Sequence, residues 1–131
     1  MFVDTSGIYC LYNRDQHDHY AAIEFYESAR RRVTTNYVLA EYIALSDKHG
    51  SSRLDAIAFS QRVLDDSEIE IVWVSPGLHR QAVELLLDRA DKTYSLCDAV
   101  SFVVMRDFGI TDALTTDRHF KQEGFVRLLR P

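Results

Sequence analysis

Cysteine, proline and glycine are all scarce in this sequence of 131 residues. It has two cysteines, two prolines and five glycines. Two cysteines provide neither a disulfide framework nor a zinc-type motif, and Cys10 and Cys97 both lie in apolar surroundings. We therefore expect two buried free thiols in a reducing compartment, the cytoplasm. The chain also lacks a linker-like segment, which favours a single domain over residues 1–131.

Long apolar runs and a basic leader are also missing. No apolar stretch approaches the ~18 residues that cross a bilayer, and the first charged residue is an acid, Asp4. We therefore expect neither a signal peptide nor a membrane partner. The glycines are isolated, so both glycine fingerprints of nucleotide binding are absent and we expect no nucleotide cofactor.

Strand-like and helix-like segments alternate along the chain. Such alternation implies βα units and a mainly parallel sheet covered on both faces. We predict a three-layer α/β/α sandwich with five strands. The predicted strands are residues 2–4, 32–35, 70–75, 113–116 and 125–129. The predicted helices start near residue 5 and cover 17–30, 36–50 (Asn36 as N-cap, Gly50 as stop), 52–66, 76–89 and 96–108, with a short connection at 119–124.

Single acids occur inside segments that otherwise have the composition of a core. Asp4 is the only charged residue in 1–13, Glu41 the only one in 36–46, and Asp98 the only one in 97–105. An ionised carboxylate removed from water costs several kcal/mol unless it is paired or bound to a cation. Asp4 and Asp117 each end a predicted strand, at the edge where sites form in parallel sheets. The helices carrying Glu41 and Asp98 start at that same edge, so we predict that these acids share one metal site.

Each acid also has an ordinary structural explanation. Asp4 is a suitable helix cap, Asp98 a first-turn acid that complements the helix dipole, and Asp117 an N-cap or turn residue. Glu41 has no capping role, and its alternative is a buried ion pair with an arginine. A shared site explains all four acids together. Carboxylates without a His or Cys cluster suit Mg²⁺ or Mn²⁺, and such sites typically support hydrolysis of phosphodiesters.

Four segments in order resemble the PIN-domain nucleases, in particular the toxins of VapBC-type toxin–antitoxin pairs. The resemblance covers essentially the whole chain, although no single motif is specific. The matching segments are Phe-Val-Asp-Thr-Ser at 2–6, Val-Leu-Ala-Glu at 38–41, Tyr-Ser-Leu-Cys-Asp-Ala at 94–99 and Leu-Thr-Thr-Asp-Arg-His-Phe at 114–120.

The resemblance implies strand order 3-2-1-4-5 and an endoribonuclease that binds one or two Mg²⁺ or Mn²⁺ ions. It also implies an RNA substrate, a cognate antitoxin and a homodimer. Asp4 and Asp98 would be the principal metal ligands, and Glu41 and Asp117 would complete the pocket. The hydroxyls that support the site would come from Ser6 and Thr115.

Partner surfaces are harder to assign from the sequence. An apolar antitoxin groove near the first helices would use Tyr9, Leu11, Tyr12, Tyr42 and Leu45, although these residues suit a core equally well. The net charge of −5 argues mildly against RNA binding, but divalent cations at the acids would largely offset it. The candidate RNA-binding cations are Arg30, Arg31, Arg32, Arg118 and Lys121, for which a solvated helix end or a surface ion pair is the alternative.

Other functions fit the sequence less well. A receiver domain needs an acid after the strand at 70–74, where Ser75 and Pro76 stand, and an aspartyl phosphatase needs Asp at the position of Ser6. A housekeeping RNA-processing PIN nuclease and a non-catalytic interaction module of the same fold stay open as alternatives. His119 is not expected to act as a general base, because a metal-bound water does not require one.

Overall fold

We describe a computed structural model covering residues 1–48 and 52–130. No helix in these two segments is long and apolar enough to cross a membrane. In chain order the elements are β1 (Phe2–Val3), α1 (Thr5–Tyr12), α2 (His19–Ser28), β2 (Val33–Thr35), α3 (Asn36–Ala44), α4 (Arg53–Asp65), β3 (Glu70–Val72), α5 (Pro76–Asp88), α6 (Leu96–Asp107), β4 (Asp112–Leu114), α7 (Arg118–Gln122) and β5 (Val126–Arg127).

The five strands form one parallel sheet in the order β3-β2-β1-β4-β5. The chain moves outward from β1 to β3 and then returns to the other side of β1 for β4 and β5. Parallel crossovers are right-handed, so this reversal places α1–α4 on one face and α5–α7 on the other. The predicted fold class and strand order are confirmed. The switch point lies between β1 and β4, where Val3 pairs with Leu114.

The core holds the site-bearing elements in place. Phe102 of α6 contacts Phe120 of α7, and Phe120 contacts Phe2 of β1. All three rings are fully buried. Eight of the 12 residues of α6 are buried, so this helix is fixed on most of its surface. Packing therefore sets the position of the first turn of α6 relative to β1.

The start of α3 differs from the prediction. The N-cap is Thr35, whose Oγ1 accepts the Val38 N–H at 3.2 Å, and Asn36 is the first helical residue. The side chain of Asn36 instead accepts the backbone N–H of Val74 at 2.8 Å. The helix ends at Ala44, and the predicted stop at Gly50 lies outside the described residues.

The strands are shorter than predicted. β3 ends at Val72 because its partner β2 ends at Thr35, where the chain turns into α3. The predicted connection at 119–124 is instead largely the short helix α7. Asp117 caps this helix, and burial of Phe120 holds it against the core.

Gly7 is the position where α1 lies closest to β4. A Cβ built on Gly7 would stand 2.1 Å from the carbonyl oxygen of Leu114, which is backbone and cannot rotate away. We predict that Gly7→Ala lowers the free energy of unfolding by about 1–3 kcal/mol. Gly77→Ala is the matched control, because a Cβ there meets only Ser75 Oγ at 3.9 Å and helix propensity favours Ala. Equal melting temperatures for the two variants would contradict the close approach.

Candidate active site

The four predicted acids form an acidic cluster at the carboxyl edge of the sheet. Asp4 directly follows β1, Asp117 follows β4, Glu41 lies in the second turn of α3, and Asp98 lies in the first turn of α6. Asp4 and Asp98 are buried, whereas Glu41 and Asp117 are half-buried. The charges of Asp98 and Glu41 raise the pKa of Asp4, and the charge of Asp117 raises the pKa of Asp98. The four carboxylates are therefore electrostatically coupled.

The side chain of Asp4 bonds to neighbouring residues at the acidic cluster and does not cap α1. It occupies the N-cap position of α1, but its side chain makes no capping hydrogen bond. Its Oδ2 accepts hydrogen bonds from Thr115 Oγ1 at 2.8 Å and from Ser6 Oγ at 3.4 Å. Burial and the neighbouring acids raise the pKa of Asp4 to about 7, although the Thr115 hydrogen bond opposes this shift. The helix-cap explanation therefore does not hold for this residue.

Asp98 has a structural role and retains a free oxygen. Its Oδ2 accepts the Ser95 N–H at 3.0 Å, and its own N–H donates to Ser95 Oγ at 3.0 Å, which completes a capping box. His119 Nδ1 lies 3.0 Å from the same Oδ2. Within the described residues Oδ1 has no such partner. Burial raises the pKa of Asp98 above its ordinary value, while the contacts with Ser95 and His119 lower it.

Two hydroxyls connect the ends of β1 and β4. Ser6 Oγ and Thr115 Oγ1 lie 3.0 Å apart. Ser6 Oγ accepts the Thr116 N–H at 2.9 Å, and Thr115 Oγ1 accepts the Asp117 N–H at 3.0 Å. Asp117 in turn caps α7, accepting the His119 N–H at 2.9 Å. The predicted supporting residues Ser6 and Thr115 thus lie between Asp4 and Asp117 and fix their separation.

Glu41 has no arginine partner in the described part of the chain, so the ion-pair explanation fails. Its charge acts on the neighbouring thiol of Cys97. Burial, together with the charges of Glu41, Asp4 and Asp98, raises the pKa of Cys97 far above its ordinary value. Since only the thiolate is a good metal ligand, Cys97 acts here as a neutral donor. Cys10 is likewise a buried free cysteine, as predicted.

His119 belongs to the cluster, although the sequence analysis gave it no role. Single ligand atoms of Asp98, Asp117 and His119 all lie within 4.8 Å of one another. The Nδ1 atom of His119 is 3.5 Å from Asp117 Oδ1, and Nε2 is 3.2 Å from Thr93 Oγ1. The first turn of α7 brings this imidazole back over Asp117, and α7 itself was not predicted. In the sequence, a separation of two residues within a predicted connection does not indicate that His119 and Asp117 come into contact.

The basic run at 30–32 lies at the opposite edge of the sheet, before β2. The Arg31 guanidinium is paired with Glu70 at 3.0 and 3.1 Å, and Arg32 Nε donates to the carbonyl oxygen of Tyr26 at 2.6 Å. The structure therefore does not bring Arg30, Arg31 and Arg32 to the acidic cluster. Arg118 and Lys121, by contrast, lie exposed on α7, directly after Asp117.

The donor set fits a hard divalent cation. It consists of carboxylate oxygens and one imidazole, with the only nearby sulfur held protonated. After burial, neighbouring carboxylate charges are a cause of the raised pKa of both Asp4 and Asp98, and a bound cation would remove that repulsion. Oxygen ligands of this kind suit Mg²⁺ and Mn²⁺.

Strand order and cluster together define an α/β protein with an acidic cluster at the switch point of its sheet. The family model of the PIN domain matches residues 1–125, and the chain belongs to the PIN-domain family. Two curated relatives, the 23S rRNA-specific endonuclease VapC20 from Mycobacterium tuberculosis strains CDC 1551 and H37Rv, are 33% identical over 129 residues. The alignment covers 98% of this chain and 97% of each relative.

A solved structure gives the same result. The crystal structure of Mycobacterium tuberculosis VapC20, described as a sarcin–ricin loop cleaving toxin, superposes with a TM-score of 0.86 at 33% identity. The superposition covers 99% of this chain and 98% of that one. The expected nuclease class and VapC-type family are confirmed, and members of this family generally depend on a divalent metal.

The raised pKa of Asp4 leads us to predict how the stability of the metal-free protein depends on pH. Its folded pKa of about 7 lies above the ordinary pKa of 3.8, so the folded state binds the proton more tightly. The free energy of unfolding therefore falls as pH rises between these two values, by about 1.4 kcal/mol for each unit. We predict that Asp4→Asn is more stable than the parent in EDTA near pH 8, with a smaller difference near pH 5.

Denaturant unfolding at both pH values measures this difference. Asp112→Asn is the matched control, because Asp112 is an exposed acid at the other end of β4. A stability difference between Asp4→Asn and the parent that does not change with pH would contradict the raised pKa.

Proposed function

We propose that this chain is a Mg²⁺- or Mn²⁺-dependent endoribonuclease, the toxin of a VapBC-type pair, with Asp4, Glu41, Asp98 and Asp117 as its catalytic metal ligands. The observation that carries the proposal is the convergence of these carboxylates from four separate elements on one buried, like-charged cluster. One or two ions held there would supply an activated water and neutralise charge on the phosphate.

The residues of the chain have distinct tasks in this proposal. Asp4 and Asp98 are the principal ligands, and Glu41 and Asp117 complete the pocket from its more exposed side. Ser6 and Thr115 hold Asp4 and Asp117 in place through their hydroxyls. His119 hydrogen-bonds Asp98 Oδ2 and so orients that carboxylate for a cation on the other oxygen.

The natural first substrate to test is ribosomal RNA. The VapC20 relatives are named as 23S rRNA-specific endonucleases. We infer that the chain acts on RNA of this class in the cytoplasm, where two buried free thiols stay reduced.

Cleavage of ribosomal RNA in vitro tests the chemistry. We predict endonucleolytic cleavage that requires Mg²⁺ or Mn²⁺ and stops in EDTA. The metal supplies several kcal/mol of charge stabilisation, so Asp98→Asn should lose on the order of 100-fold or more in rate. It should also lose the increase in melting temperature that Mn²⁺ gives the parent. Asp112→Asn, at the far end of β4, should keep both properties. Cleavage at the parental rate by Asp98→Asn would refute the assignment.

The antitoxin surface lies on the first two helices in this proposal. Leu11 and Tyr12 line an apolar groove of about 230 Å³ with Ile23 and Tyr26. Tyr42 lines a neighbouring cavity of about 400 Å³, together with Tyr12. The other two predicted groove residues, Tyr9 and Leu45, lie outside both linings. The family further supports a homodimer as the unit that the antitoxin binds.

Expression of the chain alone tests the toxin role. We predict growth arrest that Asp98→Asn abolishes and that co-expression of the small neighbouring gene product relieves. Viable counts after induction measure the effect, with Asp112→Asn as the toxic control. Normal growth with active, soluble enzyme would instead favour a housekeeping RNA-processing role.

A further inference from the structure

A groove at the outer edge of the sheet lies next to the acidic cluster. We call it the C-terminal groove; its volume is about 480 Å³, and it is lined by Lys121, Phe125, Val126, Arg127, Leu128 and Arg130. It runs along the edge strand β5 and the end of α7. Arg127 Nη1 donates to the carbonyl oxygen of Thr116 at 3.4 Å, one residue before Asp117. The groove therefore adjoins the loop that carries one of the four acids.

The charge of this region is opposite to that of the chain as a whole. Residues 118–130 contain four cations and one acid, in a protein whose net charge is −5. That acid, Glu123, is buried and ion-paired with both Arg89 and Arg106. Burial would raise the pKa of Glu123, but the two arginines hold it below its ordinary value. The acid is thus neutralised from inside, and the groove keeps its positive charge.

The groove cations are available to a ligand. Lys121 and Arg130 of the groove are exposed, as is Arg118 at the start of α7, and none of them is ion-paired with an acid within residues 1–48 and 52–130. Arg31 and Arg32, by contrast, are already held by protein groups. Unpaired cations at a concave surface attract a polyanion, because binding releases its condensed counterions.

The floor of the groove adds an apolar component. Val126 is 51% exposed, and Phe125 and Leu128 are partly buried beside it. The Phe125 ring is stacked on Phe102 and covered by the Arg106 guanidinium, so Val126 provides the exposed apolar surface of the groove. Because the groove adjoins the loop that carries Asp117, a polyanion bound there would lie beside the acidic cluster, which favours an RNA strand over an acidic protein segment.

We propose that the C-terminal groove binds the sugar–phosphate backbone of the RNA beside the bond that is cut, with Lys121 and Arg130 contacting phosphates. This inference rests on the proposed nuclease function and adds the path that the substrate takes. It also resolves the net-charge objection, because the charge that meets the RNA is local and positive. The strand would enter along β5 and reach the acidic cluster past Thr116.

Binding of a short fluorescent poly(U) RNA tests the groove. All variants carry Asp98→Asn so that the RNA stays intact, and anisotropy is measured from about 50 to 200 mM salt. We predict that Lys121→Ala and Arg130→Ala each weaken binding by roughly three- to tenfold. Each should also reduce the slope of log Kd against log salt by roughly one unit. Arg30→Ala is the matched control, an exposed cation before β2 that lines a different groove, and should change neither quantity.

Three outcomes would overturn the proposal. The first is parental affinity and slope in both groove variants, and the second is an equal loss in Arg30→Ala, which would mean unspecific attraction. The third is unchanged RNA binding together with weakened homodimer or antitoxin binding, which would assign the groove to a protein. Failure of the nuclease function is separate, because it would appear as absent RNA cleavage by the parent chain with Mg²⁺ or Mn²⁺. Circular dichroism of each variant confirms that the fold is intact.

Discussion

The repulsion between buried carboxylates is the constraint on which this molecule depends. Burial of Asp4, together with the charges of Asp98 and Glu41, raises its pKa to about 7. A fold optimised for stability alone would not place like charges at its most buried sheet edge. By contrast, the buried acid Glu123, away from the cluster, is paired with two arginines, and a bound cation would give the clustered acids a corresponding partner.

The remaining structure serves to keep these acids from moving apart. Mutual repulsion would push the acids apart if the ends of β1 and β4 were free, but Ser6 and Thr115 join these ends through three hydrogen bonds. The capping box of Ser95 fixes Asp98 to its own helix, which is buried over most of its length. Gly7 allows α1 to lie directly against the Leu114 carbonyl, which shortens the distance across the switch point. The clustered acids thus destabilise the fold locally, and the surrounding contacts compensate for that loss.

The sequence could predict those features that leave a recognisable pattern along the chain itself. Isolated acids in apolar segments identified Asp4, Glu41 and Asp98, and the alternation of strands and helices gave the layered fold. The details that failed depend on tertiary partners. Asn36 has a good capping side chain, but it accepts the Val74 N–H just beyond β3, and Thr35 caps the helix instead. His119 joins the cluster only because Phe120 is buried and holds α7 in place, and periodicity over five residues cannot show this.

The arrangement of charges on the surface could not be predicted from the sequence either. A net charge of −5 describes the chain but not the surface that a substrate meets. The arginine run at 30–32 is the densest basic stretch, yet its position before β2 puts it at the wrong edge of the sheet, and Glu70 already pairs with Arg31. The dispersed cations of 118–130 are individually unremarkable in sequence. They form one positive surface because α7 and β5 bring them together, and because Arg89 and Arg106 neutralise the single acid among them. A nuclease of this kind needs acidic side chains for the metal and basic side chains for the RNA in adjoining but distinct places. The topology of the fold, and not the amino-acid composition, produces this arrangement.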